Sequence, residues 1–164
     1  MSEVYVFTFK EGLVSAIAHD LKIRVTAHEV AIDDERAVTA TFDASSLRVV
    51  CARKDGHDSP RALSDSDKKS IERTIVDEIL EAKRFPQIRF ASTSVEREGE
   101  GYRVRGDLTL RGVTRAIGFT TRVENGAKVA EVTLHQPDFG IKPYRAMLGT
   151  LKLQPDVRVR VEVP

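Results

Sequence analysis

The chain has 164 residues, of which 31% are charged and 41% hydrophobic, and its net charge is +1 at neutral pH. That size favours a single domain, residues 1–164, with one sizeable core, and the near-neutral balance gives no global drive toward nucleic acid or an anionic membrane. A lone cysteine, Cys51, excludes a disulfide within the chain.

No apolar run approaches the ~20 residues of a membrane span. The longest one near the start, Leu13–Ala18, is interrupted by Ser15 and flanked by Lys10, Glu11 and Asp20. It is too short for a secretory core segment, so a cytoplasmic protein is expected. Charge is uneven along the chain, −5 over residues 1–82 and +6 over residues 83–164, a weak hint of one basic face.

Period-two alternation dominates. It begins with "YVFTF" (5–9) and continues in "LKIRVTAH" (21–28), where Leu21, Ile23 and Val25 oppose Lys22, Arg24 and Thr26. After the polar turn "DDER" (33–36) come "AVTATF" (37–42) and "LRVVC" (47–51), then a polar loop over 52–62. Residues 64–86 break the pattern. Ile71, Ile75 and Ile79 recur at four-residue spacing, with Val76 and Leu80 widening the stripe. Ser64 and Asp67, or Ser66, supply a start signal and Pro86 a stop. A helix over about 65–82 is therefore expected to cover an opening.

Alternation resumes in "IRFASTSV" (88–95) and in "YRVRGDLTL" (102–110), which puts Tyr102, Val104, Leu108 and Leu110 on one face. It continues in "AIGFTTRV" (116–123), "KVAEVTLH" (128–135) and "VRVRVEV" (157–163). The set comes to about nine strands. Short turns join them, and Asn125-Gly126 suits the positive backbone dihedrals of a tight hairpin. Short connections mean antiparallel neighbours. The expected fold is mainly β, a barrel or a sandwich; an antiparallel barrel of about eight to nine strands is favoured, because closure removes exposed edges and leaves an interior for side chains or one small ligand.

"DFGIKPYRAMLGTLKL" (138–153) does not alternate. Its first three letters match a kinase metal-binding motif, but no glycine-rich loop or His-Arg-Asp segment accompanies them. Gly140, Pro143 and Gly149 break strand regularity, while Ile141, Tyr144, Met147 and Leu148 give an apolar side. The segment is expected to form a flap over the barrel opening, with Met147 as an adaptable wall.

Candidate chemistry is sparse. His19, His28, His57 and His135 form no zinc-binding spacing, and Cys51 has no CxxC partner, so no metal or cofactor is expected. Ser15, His19 and Asp20 are close in sequence, which does not make a triad, and no nucleophile elbow is present. Arginines on strand faces permit single-strand nucleic-acid binding in principle, but exposed aromatics are lacking and a solvated barrel exterior explains the charges. What remains is an apolar lining: Phe7, Phe9, Phe42, Phe90, Leu108, Leu110 and Phe119 on strands, with Phe139, Ile141, Met147 and Leu148 in the flap.

Several segments resemble the YceI family of lipocalin-like barrels. "GYRVRGDLTLRGVTR" (101–115) is similar to the family's most distinctive pattern. "FPQIRFAST" (85–93), "DFGIKPY" (138–144) and, more loosely, "SAIAHDL" (15–21) support it. Ala116 stands where the family often has proline, and Asp20 separates the usual His and Leu. The resemblance implies an eight-stranded barrel that binds an amphipathic lipid, such as a polyisoprenoid quinone or fatty acyl chain, without catalysis. His19, Lys142, Tyr144 and Arg145 are then candidates for the lipid head group. A homodimer is a further expectation if the flap leaves apolar surface exposed. The competing readings are an enzyme with His19 as acid or base in the barrel pocket, and a barrel packed solid that serves as an interaction scaffold.

Overall fold

A computed structural model describes residues 1–11, 19–146 and 151–164. Its strands are β1 (Glu3–Thr8), β2 (Asp20–Val25), β3 (His28–Ile32), β4 (Val38–Asp43), β5 (Leu47–Lys54) and β6 (His57–Ser59), followed by β7 (Gln87–Glu98), β8 (Gly101–Leu110), β9 (Val113–Glu124), β10 (Ala127–His135), β11 (Arg145–Ala146), β12 (Leu151–Lys152) and β13 (Asp156–Val163). All pairings among them are antiparallel.

Thirteen segments reduce to an eight-position ring. β2 and β3 are two halves of one strand, bent at Thr26 and Ala27, and β4 and β5 are the halves of its partner. The Thr26 amide donates to Ser46 O at 3.0 Å and the Asp43 amide to Ala27 O at 2.9 Å, which carries the ladder across the bend. β2 also pairs with β1, and β4 with β7. The bent hairpin thus joins the two ends of a sheet that otherwise runs β7, β8, β9, β10, β13, β1. This is the expected eight- to nine-strand barrel; the short β6, β11 and β12 are accessories. Tight turns fit it: Asn125 and Gly126 have φ of 49° and 82°, the left-handed pair that a two-residue hairpin requires.

Two seams in the ring are filled by non-strand elements. Beyond the bend, the outer edge of β5 pairs with the short β6 only at Ala52–Lys54, and its first half has no strand partner among the described residues. Helix α1 (Asp65–Arg73) lies there, and Glu72 Oε1 accepts the Val49 amide at 2.9 Å. That bond satisfies a backbone donor that an edge strand would leave open. Ser64 and Asp67 form the reciprocal capping box at the helix start. The helix is not regular through residue 82 as expected: Thr74–Ile79 form a π-helical turn. An α-helix drifts ~40° with each four-residue step. The wider turn takes that drift back, and Ile71, Ile75 and Ile79 all face the interior.

The second seam lies between β9 and β10, which pair only from Thr121–Glu124 to Ala127–Ala130. Above that, a 3-10 turn, Gln136–Phe139, closes the gap. Phe139 is 2% exposed beside Ile117, Val132 and Leu134. Arg115 Nε donates to Asp138 O at 2.9 Å, and Arg111 Nη1 to Gly140 O at 2.7 Å, so two cations from the facing wall hold the turn in place.

Candidate ligand cavity

Inward-facing side chains do not fill the ring. They enclose a cavity of about 1080 Å³. At ~30 Å³ for a water-sized group, that is room for on the order of 35 non-hydrogen atoms. The interior is therefore not packed solid, which counts against the competing reading of a filled barrel.

The wall is built by alternation. Val157, Val159, Val161 and Val163 of β13 line it, as do Leu21, Ile23 and Val25 of β2. The intervening Arg158 and Arg160 lie on the outer face with the carboxylates of Glu131 and Glu162. On β8, Tyr102, Val104, Leu108 and Leu110 line the cavity as expected. Gly106 shares their face but has no side chain, and the Phe90 ring occupies the space it leaves. Phe90 and Phe119 pack with their ring planes tilted by 49° and centroids 5.6 Å apart.

Of the residues expected to line the interior, Phe42, Phe90, Leu108, Leu110, Phe119 and Ile141 do so. Phe7 and Phe9 do not. β1 is apolar on both faces, and it is Val4, Val6 and Thr8 that point inward. Phe7 lies outside beneath the guanidinium groups of Arg53 and Arg158, at 4.9 Å and 5.7 Å, and Phe9 beneath Arg158 at 5.4 Å. Cation–π contact and the aliphatic stems of those arginines shelter the rings from water. Phe139 is buried but plugs the β9–β10 seam rather than lining the main cavity. Met147 and Leu148 lie outside the described residues.

The ends of the cavity are polar and differ from each other. At the end under α1 stand His19, Thr8, Asp67, Ser70, Gln136 and Tyr144. Thr8 Oγ1 is buried there with no hydrogen-bond partner among the described residues. Asp67 is held ionised below the usual carboxylate range, chiefly by the Ser64 backbone and side-chain bonds of the capping box. β11 and β12 lie at this end: Leu153 pairs with Lys10, and the Leu153 amide donates to Tyr144 O at 3.1 Å. Of the four head-group candidates, His19 and Tyr144 line the cavity. Lys142 and Arg145 are exposed and are not part of its wall, because the backbone of 141–145 turns their side chains to solvent while Ile141 and Tyr144 face in.

The opposite end carries two cations that sequence reasoning did not single out, Arg36 in the β3–β4 turn and Lys128 of β10. Lys128 was legible: it shares its parity with Ala130, Val132 and Leu134. Arg36 was not, since nothing local reveals that a turn residue folds over a Tyr102 ring, 5.3 Å away. Among the described residues no group of three or more His, Cys, Asp or Glu side chains is gathered as a metal would need, and no helix is long and apolar enough to cross a membrane.

A hollow lipocalin-type barrel with an oily wall and polar ends defines a class, and sequence comparison narrows it. The family model for the YceI-like domain matches residues 5–164, and the chain belongs to that family. A UPF0312 protein of Pseudomonas putida strain W619 is 37% identical over 87 residues, 46% of this chain and 45% of that protein. One from Yersinia enterocolitica is 44% identical over 46 residues, 28% of this chain and 24% of that one. The matched stretch is thus less than half the length of either relative. Among solved structures, Burkholderia cenocepacia BcnA superposes with a TM-score of 0.66 at 14% identity, covering 99% of this chain and 94% of that one. A polyisoprenoid binding domain from Saccharophagus degradans gives 0.63 at 11%, again over 99% and 94%. At such identities the likeness is one of fold.

Proposed function

We propose that this protein binds an amphipathic lipid, a polyisoprenoid, quinone or fatty acyl chain, with the chain lodged in the barrel and without catalysis. The observation that carries the reading is the cavity of about 1080 Å³ behind a wall that is apolar along its length. Water in such a chamber finds few hydrogen-bond partners. An alkyl or prenyl chain gains about 0.8 kcal/mol per buried CH₂ relative to water. Family membership and the polyisoprenoid-binding neighbour of the same fold support it.

The true competitor is the bilayer, in which the chain is already dissolved. Ordering a long chain cancels much of the nominal gain. Selectivity then rests on cavity length and on the polar groups at its two ends, His19 and Tyr144 at one and Arg36 and Lys128 at the other. A cytoplasmic carrier that exchanges its ligand with membranes without inserting in them fits this reading. Nucleic acid does not. Some of the outer arginines are engaged with carboxylates, Arg160 with Glu131 and Glu162, and Arg103 with Glu98, and Arg158 lies over the Phe7 and Phe9 rings. A partner subunit is not needed to complete the cavity, since one chain supplies the lining described above.

The test is native mass spectrometry and solvent extraction of protein produced in bacteria. A co-purified lipid, lost in Phe119→Glu and recovered chemically unchanged after incubation, is the expected result. An empty protein that also ignores added prenols and fatty acids would overturn the proposal, and turnover abolished by His19→Ala would move it to an enzyme.

A further inference from the structure

We propose that the ligand carries an anionic head group, a carboxylate or phosphate, and that this group sits at the end of the cavity opposite α1, between Arg36 and Lys128. The inference rests on the lipid-binding reading and fixes the ligand's polarity and its direction in the barrel.

The two ends differ in charge. Arg36 and Lys128 are the only Lys or Arg side chains on the cavity wall among the described residues, and Asp67 is the only acid. They lie at opposite ends. Arg36 covers Tyr102, whose amide donates to Thr121 Oγ1 at 2.9 Å. Thr121 pairs with Ala130, and Lys128 with Val123, two residues further toward the same end. Arg36, Tyr102, Thr121 and Lys128 therefore surround one opening.

Neither cation is in an ion pair among the described residues, whereas Arg160 on the outer face of the same barrel binds three carboxylates. The acids nearest Arg36 in sequence do not serve as partners. Asp33 Oδ1 accepts the Glu35 and Ala37 amides at 2.9 Å and 2.8 Å, and Asp33, Asp34 and Glu35 are all absent from the cavity wall. Two exposed cations converge on the mouth of an apolar cavity with no acid of the lining beside them. A negative group on a lipid whose tail fills the barrel would meet both.

The α1 end disfavours the reverse orientation. Asp67 is pinned in the capping box and stays ionised, and around it stand Ser70, Gln136, Tyr144 and the imidazole of His19. An anion placed there would face a fixed like charge. The tail terminus, which asks for no hydrogen bonds, is the better tenant of that end.

The experiment compares ligands that share a tail. Geranylgeranyl phosphate is titrated against geranylgeraniol, and oleate against oleyl alcohol, by equilibrium dialysis at neutral pH and low salt. The wild type is expected to bind at least one anion about tenfold or more tighter than its alcohol, as charge-assisted bonds to two cations provide. Which pair shows the preference distinguishes phosphate from carboxylate. Arg36→Asn with Lys128→Gln should remove the preference by bringing the affinity of each anion down to that of its alcohol. Asparagine suits the position because φ is 69° at Arg36. Lys54→Gln with Lys83→Gln, which changes net charge equally at exposed sites away from the cavity wall, should leave the preference intact. If the double variant folds poorly, salt decides with the wild type alone: anion affinity should fall between low and high ionic strength while alcohol affinity does not. Equal binding of anion and alcohol, insensitive to salt and to both variants, overturns the inference and leaves the lipid-binding proposal standing. Failure of all four ligands to bind overturns both.

Discussion

The ring of Phe90 occupies the space that Gly106 leaves open across the β7–β8 ladder. A Cβ on Gly106 would lie 2.6 Å from Phe90 Cζ and 2.4 Å from the Ala91 carbonyl oxygen. A β-bulge between Ser92 and Ser94 brings that carbonyl close. The glycine at the centre of "YRVRGDLTL" therefore acts through packing: it lets one aromatic ring lie along the wall instead of across the cavity.

Gly106→Ala should accordingly destabilise the fold by about 1–3 kcal/mol, the usual cost of an added methyl in a full site. Ring rotation relieves only one of the two contacts, because the other is backbone. Thermal and denaturant melts measure the loss. A neutral or stabilised variant would mean that Phe90 does not lie over Gly106. A larger side chain, as in Gly106→Val, should also push Phe90 inward and lower affinity for long-chain ligands more than for short ones.

Much of the barrel was legible in the sequence because a strand's inward face is written in its own alternation. Val157, Val159, Val161 and Val163, and likewise Leu21, Ile23 and Val25, needed no further information. The helix start was equally local, since Ser64 and Asp67 bond to each other's backbone. What failed was non-local. β1 offers two apolar faces, and only cations from other strands, Arg53 and Arg158, make the Phe7 face tolerable outside. Phe139 was placed in a flap because the seam it plugs exists only once β9 and β10 diverge. The head-group candidates Lys142 and Arg145 came from a basic stretch of sequence, while the cations on the wall come from a turn and a strand far apart in the chain.

Phe7 and Phe119 offer a direct contrast. Phe119→Ala removes wall area beside Phe90 and should weaken lipid retention. Phe7→Ala removes a ring from the outer face and should leave ligand binding unchanged, with a modest loss of stability. Equal loss of bound lipid in both variants, read by native mass spectrometry, would place Phe7 on the wall.

Among the described residues, Thr8 is the one on the wall whose hydroxyl is both buried and without a partner. An unsatisfied buried hydroxyl costs roughly 1–3 kcal/mol. Thr8→Val keeps the shape and should raise stability of the lipid-free protein by up to about that amount. If a ligand oxygen normally bonds Thr8, the same variant should bind that ligand less well. A destabilised Thr8→Val in the empty protein would show that the hydroxyl has a partner after all.

Acid should loosen the barrel from outside. Glu131 is held below the ordinary carboxylate range, first by its hydrogen bond with Arg160 and then by Arg122, and Glu81 is held low by Arg84 and Arg111. A depressed folded-state pKa stabilises the native state fully above the unfolded value of ~4. That contribution is lost as pH falls through the lower folded value. Stability should therefore be flat from neutral pH to about 5 and decline below ~4. Glu131→Gln removes one of the groups responsible, so its melting temperature should fall less steeply between pH 5 and pH 3 than that of the wild type. The two curves should converge at the acid end, where both proteins lack the charge. Parallel curves across that window would mean that the Glu131–Arg160 pair contributes nothing that depends on protonation, and that acid sensitivity arises elsewhere in the fold.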